Sequence, residues 1–344
     1  MAPEVTRERL LALPKAELHV HLDGSLRPST MLELASELGV TLPASEPLGL
    51  ANVMRVAESR GLAEYLEKFA TTLSLMQTPS SLERTAYELA EDSAKENIRY
   101  LEVRYSPVLH TEKGMSLKET VAAPLRGLAR AEADFGIRTG LIICGIRSLD
   151  PSVSLRLAEL AVGYKDQGVV AFDLAGAEAG NPAGEHRDAF QFAANHNLGL
   201  TIHAGEGDGA SSIAQAIHEC HARRIGHGTR LLEDPALESF VNDFRIPLEV
   251  CLTSNVQTGV APTFAEHPFR RYFDAGLVVT LNTDNRLFSG TTLTDEFWLA
   301  HQHLGLSWEE LTEVSLLGFQ AAFLPYEAKV NLLEEVEEEL PGLE

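Results

Sequence analysis

The chain has 344 residues, of which 44% are hydrophobic and 23% are charged, a composition typical of a water-soluble globular protein. Its 28 basic and 50 acidic residues give a formal net charge of −22, which disfavours binding to nucleic acid, to anionic membranes and to polyphosphates. The N-terminal region lacks the pattern of a signal peptide and no apolar run is long enough to span a bilayer, so we expect a cytoplasmic protein.

Short β-branched or apolar runs alternate along the chain with longer segments of helical periodicity. The predicted strands are, in chain order, 16–23, 99–107, 138–146, 169–176, 198–205, 223–229, 247–254 and 277–284. The clearest predicted helices lie between them, at 82–96, 117–133, 152–166, 209–222 and 293–304. Eight strands that alternate with helical sequence predict an α/β protein with the TIM (β/α)₈ barrel fold.

The first predicted strand, AELHVHLD (16–23), carries two histidines one residue apart. Because side chains alternate between the two faces of a strand, His19 and His21 share one face and the apolar residues around them share the other. Taken alone, the pair fits two hydrogen-bonded core histidines as well as it fits two metal ligands. The choice depends on which other residues lie beside them.

The stretch from about 28 to 80 contains more helical sequence than one connection between strands needs. We expect these extra helices to lie over the C-terminal mouth of the barrel as a lid insertion, although additional core packing would give the same pattern. No linker, repeat or low-complexity tract separates a second domain, so residues 1–344 are expected to form one barrel domain.

Polar residues and one glycine follow the predicted strands where the strands end. In a TIM barrel these ends meet at one mouth, which is where active sites lie. The residues concerned are His19, His21, Gly176, His203, Glu206, His227, Asn255 and Asp284. Histidine and aspartate are suitable ligands for zinc, so the pattern predicts a metal site at the mouth.

The three cysteines, Cys144, Cys220 and Cys251, are far apart and have no C-x-x-C spacing. We expect reduced, structural thiols. A zinc ion in this chain would therefore be held by histidine and carboxylate.

Six motifs of the chain resemble those of the adenosine deaminases, in the adenosine/AMP deaminase family of metallo-dependent hydrolases. They are, in order, PKAELHVHLDGSLRP (14–28), FDLAGAE (172–178), TIHAGE (201–206), RIGHGTRL (224–231), CLTSN (251–255) and LNTDN (281–285). The likeness extends over nearly the whole chain and is strongest to bacterial members. It implies the same (β/α)₈ barrel that the alternation of strands and helices predicts.

The resemblance also implies a site. It gives one zinc ion per chain, with the ligands His19, His21, His203 and Asp284. The implied catalytic residues are Glu206, His227 and Asp284, and the implied substrate contacts are His21, Asp23, Gly176 and Asn285. Within this set Glu206 is the proton donor to the purine, and His227 orients and deprotonates the attacking water.

The implied reaction is the hydrolytic deamination of adenosine, and of 2′-deoxyadenosine, to the inosine product and ammonia in purine salvage. Its chemistry suits the residues, because zinc lowers the pKa of bound water to about 7 and a buried carboxyl of raised pKa can protonate the purine N1. The expected partners are a purine nucleoside and water, without nucleic acid or membrane. The sequence is also compatible with an oligomer.

Two positions bear on the substrate. Asn285 stands where many family members have a second aspartate, so we expect its amide to donate to the purine N7 while a neighbouring donor holds its carbonyl. Asp23 in HLDG resembles the nucleoside-specific members, whereas adenine-base deaminases tend to carry glutamate there.

The alternative substrates are aminodeoxyfutalosine and free adenine. The acidic charge of the chain disfavours AMP. A barrel that has lost catalysis and only binds its ligand is disfavoured because both Glu206 and His227 are present.

Overall fold

The computed structural model describes residues 4–56 and 68–340 of the chain. Eight strands form one sheet in which each strand pairs in parallel with the next along the chain. They are β1 (Lys15–His21), β2 (Ile98–Tyr105), β3 (Arg138–Ile146), β4 (Val169–Ala175), β5 (Gly199–Ala204), β6 (Arg224–His227), β7 (Leu248–Val250) and β8 (Val279–Leu281). The TIM barrel predicted from the sequence is confirmed.

The sheet closes between β1 and the segment that follows β8. Val20 and Asp284 form a parallel bridge there. The Asp284 N–H donates to the His19 carbonyl at 2.9 Å, and the His21 N–H donates to the Asp284 carbonyl at 2.7 Å. The closure of the barrel therefore places Asp284 between the two histidines of β1.

Helices surround the sheet. They are α1 (Arg7–Ala12), α2 (Pro28–Leu38), α3 (Pro47–Met54), α4 (Phe69–Leu75), α5 (Pro79–Lys95), α6 (Leu117–Phe135), α7 (Pro151–Gly163), α8 (Arg187–Asn195), α9 (Ala210–His218), α10 (Pro235–Asp243), α11 (Leu252–Gln257), α12 (Phe269–Asp274), α13 (Arg286–Ser289), α14 (Leu293–Leu304), α15 (Trp308–Ala321) and α16 (Tyr326–Glu339). Helices pack against the strands, for example α5 against β2 and α15 against β1 and β8. None of the helices in the described ranges is long and apolar enough to cross a membrane.

The predicted end of β7 is wrong. The apolar pattern predicts a strand over 247–254, but β7 ends at Val250 and α11 begins at Leu252. The reason lies outside the local sequence: the buried carboxylate of Glu296 accepts hydrogen bonds from the backbone N–H and the hydroxyl of Thr253 at the start of α11. A distant side chain thus satisfies one of the N-terminal backbone donors of this helix.

The interior of the barrel is charged. The interiors of TIM barrels are usually filled by branched apolar side chains. Here several charged residues of the strands are at most 1% exposed, and one network among them consists of Glu102, Arg104, Asp173, Arg224 and Glu249. They pair with one another, since Arg104 contacts Asp173 and Glu249 while Arg224 contacts Glu102 and Glu249. This network lies directly beneath the histidines at the mouth.

The helices α2, α3 and α4 follow β1 and fall within the predicted insertion at 28–80. Phe69 of α4 packs against His21, with 6.3 Å between ring centroids, and against Phe288 at 4.9 Å. Part of the insertion, 57–67, lies outside the described residues. The lid role remains a prediction.

Candidate active site

A cavity of about 390 Å³ opens where the strands end. The predicted site residues that line it are His21, Asp23, Gly176, His203, Glu206, His227, Asp284 and Asn285. His19 is fully buried beside them, with its ring centroid 4.5 Å from that of His203. Asn255 lies behind the cavity wall, where it contacts His227. The fold therefore brings together residues that are up to 266 positions apart in the chain.

Four of these residues offer ligand atoms to one point. One ligand atom from each of His19, His21, His203 and Asp284 lies within 4.8 Å of the others. The Nε2 atoms of His21 and His203 are 3.1 Å apart. Asp284 Oδ1 lies 3.5 Å from His19 Nε2 and 3.4 Å from His21 Nε2. This spacing suits a single cation better than a set of direct hydrogen bonds.

The hydrogen-bond partners of two histidines fix which nitrogen faces that point. His19 Nδ1 lies 2.9 Å from the Glu249 carboxylate, and His203 Nδ1 lies 3.0 Å from that of Asp173. A carboxylate can only accept, so each Nδ1 carries the hydrogen and each Nε2 presents its lone pair to the centre. His19 Nε2 is buried and has no hydrogen-bond partner among the described residues. A metal ion fits this arrangement because it would satisfy the lone pairs.

Arg104 joins the two supporting carboxylates. Its guanidinium lies 2.9 Å from Asp173 and 2.7 Å from Glu249. Burial alone would raise the pKa of Asp173, but the hydrogen bond from His203 and the charge of Arg104 outweigh burial and lower it. Burial is likewise outweighed at Glu249, whose pKa Arg104 and Arg224 hold well below its ordinary value. Both carboxylates are therefore ionised at neutral pH, so they can accept hydrogen bonds from the Nδ1–H groups of His19 and His203.

Sequence reasoning missed these supporting residues because it considered only strand ends. Arg104, Asp173 and Glu249 lie within β2, β4 and β7. A signal was available, since each is a charged residue inside an apolar run, in LEVRYSP, AFDLAG and PLEVCLTS. A charge at such a position is buried and needs a partner.

Glu206 is suited to carry a proton. Its side chain is 8% exposed, and burial raises its pKa well above the ordinary value, with a further increase from the negative charges of Asp284 and Glu178. This environment therefore favours the protonated form of the carboxyl. His227 Nε2 lies 3.5 Å from Glu206 Oε2, and burial holds the pKa of His227 well below its ordinary value.

Glu178 was also missed, and it holds the loop that carries Glu206. Its buried carboxylate accepts backbone N–H bonds from four consecutive residues, at 2.7 Å from Gly205, 3.0 Å from Glu206, 2.6 Å from Gly207 and 3.2 Å from Asp208. These bonds tie the loop after β5 to the loop after β4. The backbone of Glu206 is fixed by this one side chain.

Three polar atoms beside the cavity are buried and have no hydrogen-bond partner among the described residues: Asp23 Oδ1, Ser106 Oγ and Asn285 Oδ1. Burial raises the pKa of Asp23 to about 7. The neighbouring donor expected for the Asn285 carbonyl is not found in the described ranges. Its Oδ1 instead packs against Gly24, where a Cβ would lie only 1.7 Å away. A polar ligand would supply the missing partners.

Residues 14–339 match a family model described as adenosine deaminase. The chain is 42% identical over 353 residues to the adenosine deaminase of Mycobacterium sp. (strain JLS), covering 98% of this chain and 97% of the relative. It is 41% identical over 333 residues to a probable adenosine deaminase of Dictyostelium discoideum. That alignment covers 96% of this chain and 43% of the relative. A crystal structure of adenine deaminase from Arthrobacter aurescens is similar with a TM-score of 0.89 and 28% identity, covering 96% of this chain and 99% of that one.

Proposed function

Because this chain belongs to the adenosine deaminase family, we propose that it hydrolyses adenosine, and 2′-deoxyadenosine, to the corresponding inosine and ammonia. One observation carries the proposal: a buried carboxyl of raised pKa, Glu206, shares a cavity with a group of three histidines and one aspartate. That combination suits the addition of water to a ring carbon whose neighbouring nitrogen must gain a proton.

The metal ligands would be His19, His21, His203 and Asp284, and we propose one zinc ion. Imidazole nitrogen with one carboxylate oxygen is a typical donor set for catalytic zinc. When bound, the ion would supply a hydroxide-like nucleophile at neutral pH, because it lowers the pKa of its water to about 7.

The residues of the chain supply the remaining steps. Water adds to the purine C6, the C6–N1 double bond opens, and Glu206 donates its proton to N1. His227, beside Glu206 in the cavity wall, orients the water. The C6–N bond then breaks. Of the two protons that the added water brought, one leaves with the amino group as ammonia and the other restores the Glu206 carboxyl. The carbonyl of the inosine ring remains.

Asp23, Gly176 and Asn285 are the proposed substrate contacts in addition to His21. Asp23 Oδ1 is buried and unpartnered beside the cavity, so it can accept from a ribose hydroxyl. Free adenine has no such hydroxyl. Adenine is the runner-up substrate, because the similar Arthrobacter aurescens structure is of an adenine deaminase. Aminodeoxyfutalosine, which has a ribose, also remains an alternative, and the cytoplasmic location stays a prediction.

A substrate panel tests the proposal. The loss of the adenosine absorbance is followed with purified protein, and 2′-deoxyadenosine, adenine, aminodeoxyfutalosine and AMP are measured beside it. We expect the highest kcat/KM for adenosine and 2′-deoxyadenosine, and loss of activity when a chelator removes about one zinc per chain. A higher kcat/KM for adenine, or full activity in protein shown to be free of metal, would contradict the proposal.

A further inference from the structure

A chain of hydrogen bonds approaches His227 from behind the cavity. His227 ends β6, and its Nε2 faces Glu206 across 3.5 Å. Its other ring nitrogen, Nδ1, lies 3.0 Å from Nδ2 of Asn255 on α11. The opposite end of the Asn255 amide, Oδ1, lies 3.2 Å from Nε2 of His267. These contacts determine where His227 carries its ring hydrogen.

The donor and acceptor in each of these hydrogen bonds follow from His267, the residue farthest from the cavity. The backbone N–H of Phe269 donates to Nδ1 of His267 at 3.1 Å, and a backbone N–H can only donate. Burial lowers the pKa of His267 to about 3, so the ring is neutral at physiological pH and has a single ring hydrogen. That hydrogen must be on Nε2, which therefore donates to Asn255 Oδ1.

The orientation of the Asn255 amide in turn determines its hydrogen bond to His227. With Oδ1 engaged by His267, the Asn255 NH₂ group faces His227 Nδ1 and donates to its lone pair. His227, Asn255 and His267 are 1%, 0% and 3% exposed, so water does not replace these bonds. Neutral His227 then carries its hydrogen on Nε2, the nitrogen that faces the cavity.

We propose that Asn255 and His267 are positioning residues that hold His227 in the Nε2–H tautomer, so that it donates a hydrogen bond to the attacking water instead of removing its proton. The role in the reaction rests on the proposed function, whereas the tautomer does not. His227 neither gains nor loses a proton in this role. The deprotonation that the family resemblance implies for His227 is thereby replaced by orientation.

The opposite tautomer is disfavoured by the same contacts. It would set a hydrogen on His227 Nδ1 against the Asn255 NH₂ group. Rotation of the amide would relieve that contact but would set the NH₂ group against the hydrogen on His267 Nε2. Either arrangement leaves buried donors unpaired, which favours the Nε2–H tautomer by about tenfold or more.

Nitrogen NMR of the ¹⁵N-histidine-labelled protein tests the tautomer directly. Long-range ¹H–¹⁵N spectra distinguish a nitrogen that carries hydrogen from one with a free lone pair, and the His227 signals are assigned by their loss in His227→Gln. We expect Nε2 of His227 to carry the hydrogen and Nδ1 to lack it, in metal-free and zinc-loaded protein without substrate.

The variant Asn255→Asp reverses the donor, because a carboxylate accepts and would draw a hydrogen onto His227 Nδ1. The matched control is Asn285→Asp, which makes the same change in the cavity wall at a residue that has no hydrogen bond to His227 among the described contacts. We expect a protonated Nδ1 in the first variant and the native pattern in the second.

A native spectrum with hydrogen on Nδ1 and a free Nε2 would overturn the proposal, and this outcome does not depend on whether the variants fold. Retention of a free Nδ1 in folded Asn255→Asp would also overturn it. The spectra are recorded without substrate. Failure of the deaminase function would therefore appear in the substrate panel and leave the tautomer result unchanged.

Discussion

The surroundings of Glu206 favour its neutral carboxylic acid form. Its pKa is raised by burial and by the charges of Asp284 and Glu178, so the folded protein binds this proton more tightly than the unfolded chain does. The protonated form is present below the raised pKa and is lost as pH rises through it. Activity that depends on this proton should therefore decline as pH rises through the raised pKa, which gives the pH–activity profile an alkaline limb.

We predict that Glu206→Gln keeps the metal but loses about 10²- to 10⁴-fold in kcat, because the amide cannot deliver a proton to N1. The alkaline limb assigned to Glu206 should also disappear from the residual activity. Metal analysis with steady-state kinetics across pH checks both expectations. His203→Ala is the contrasting variant, since it should lose metal and activity together. Near-native turnover in Glu206→Gln would show that Glu206 is not the general acid.

Asn285 gives a prediction about the purine ring. An asparagine can donate to N7 without a shared proton, whereas an aspartate and N7 are both acceptors in their usual states. A substrate with carbon at position 7 would leave the amide donor unpaired, at a cost of roughly 1–3 kcal/mol, or about 5- to 150-fold in kcat/KM.

The measurement is the ratio of kcat/KM for adenosine to that for 7-deazaadenosine, in native protein and in Asn285→Ala. Because the carbon substitution also changes the reactivity of the ring, only the difference between the two proteins is diagnostic. We expect the ratio to fall in the alanine variant. The same ratio in both proteins would show that Asn285 does not contact N7.

The sequence predicted the side chains that line the mouth better than those that support them. His203 and Glu206 end a recognisable strand, so their position follows from local pattern. Asp173, Glu249 and Arg104 act through contacts between different strands. Such pairing depends on strand register and on the direction of each side chain, which no local pattern specifies.

The loop after β4 supports the loop after β5 through Glu178. Its carboxylate provides acceptors for four backbone N–H groups, and a glutamine would provide one carbonyl oxygen and turn an NH₂ group toward the remaining donors. We predict that Glu178→Gln retains the metal and lowers kcat by about tenfold or more, since one lost buried hydrogen bond costs about 1–3 kcal/mol.

The matched control is Glu233→Gln. Glu233 accepts a 3.2 Å bond from the Ala210 N–H just beyond the same loop, but its side chain is 43% exposed and does not contact Glu206. We expect kcat within about twofold of native for this variant, because exposed substitutions have small effects. Equal losses in both variants, or none in Glu178→Gln, would argue against a positioning role for Glu178.

The element boundaries show why some local predictions fail. Ser254 and Asn255 continue an apolar run and look like the end of a strand, yet they lie in the first turns of α11. Ser254 donates to Asp284 at 2.6 Å and Asn255 contacts His227, so the helix is what directs both toward the site. The start of that helix depends on Glu296, which is more than 40 residues away in the chain.

The alternation of strands and helices was sufficient to predict the barrel, because each strand needs only its sequence neighbour to build a parallel sheet. The position of closure was harder to predict. Its hydrogen bonds join His19 and His21 to Asp284 through the backbone, across more than 260 residues of the chain. The proposed metal site therefore coincides with the closure of the barrel.

This coincidence predicts that the metal stabilises the entire fold. An ion that binds only the folded chain at 100 to 1,000 times its Kd adds about 2.7–4.1 kcal/mol to the free energy of unfolding. For a chain of this size we expect its removal to lower Tm by about 4–6 °C. Differential scanning calorimetry with chelator, followed by re-addition of zinc, measures the change.

Two histidine variants separate metal loss from the general effects of the chelator. His203→Ala should have a low Tm that neither chelator nor zinc alters, because it lacks a ligand. His303→Ala, at an exposed position on α14 that stacks on Phe264, should keep the full response to the chelator. If native protein proven free of metal by elemental analysis unfolds at the same temperature as the loaded protein, the ion does not stabilise the barrel closure. Because the ligands come from β1, β5 and the segment after β8, a fall in Tm restored by zinc would instead tie the metal to the strands that close the sheet.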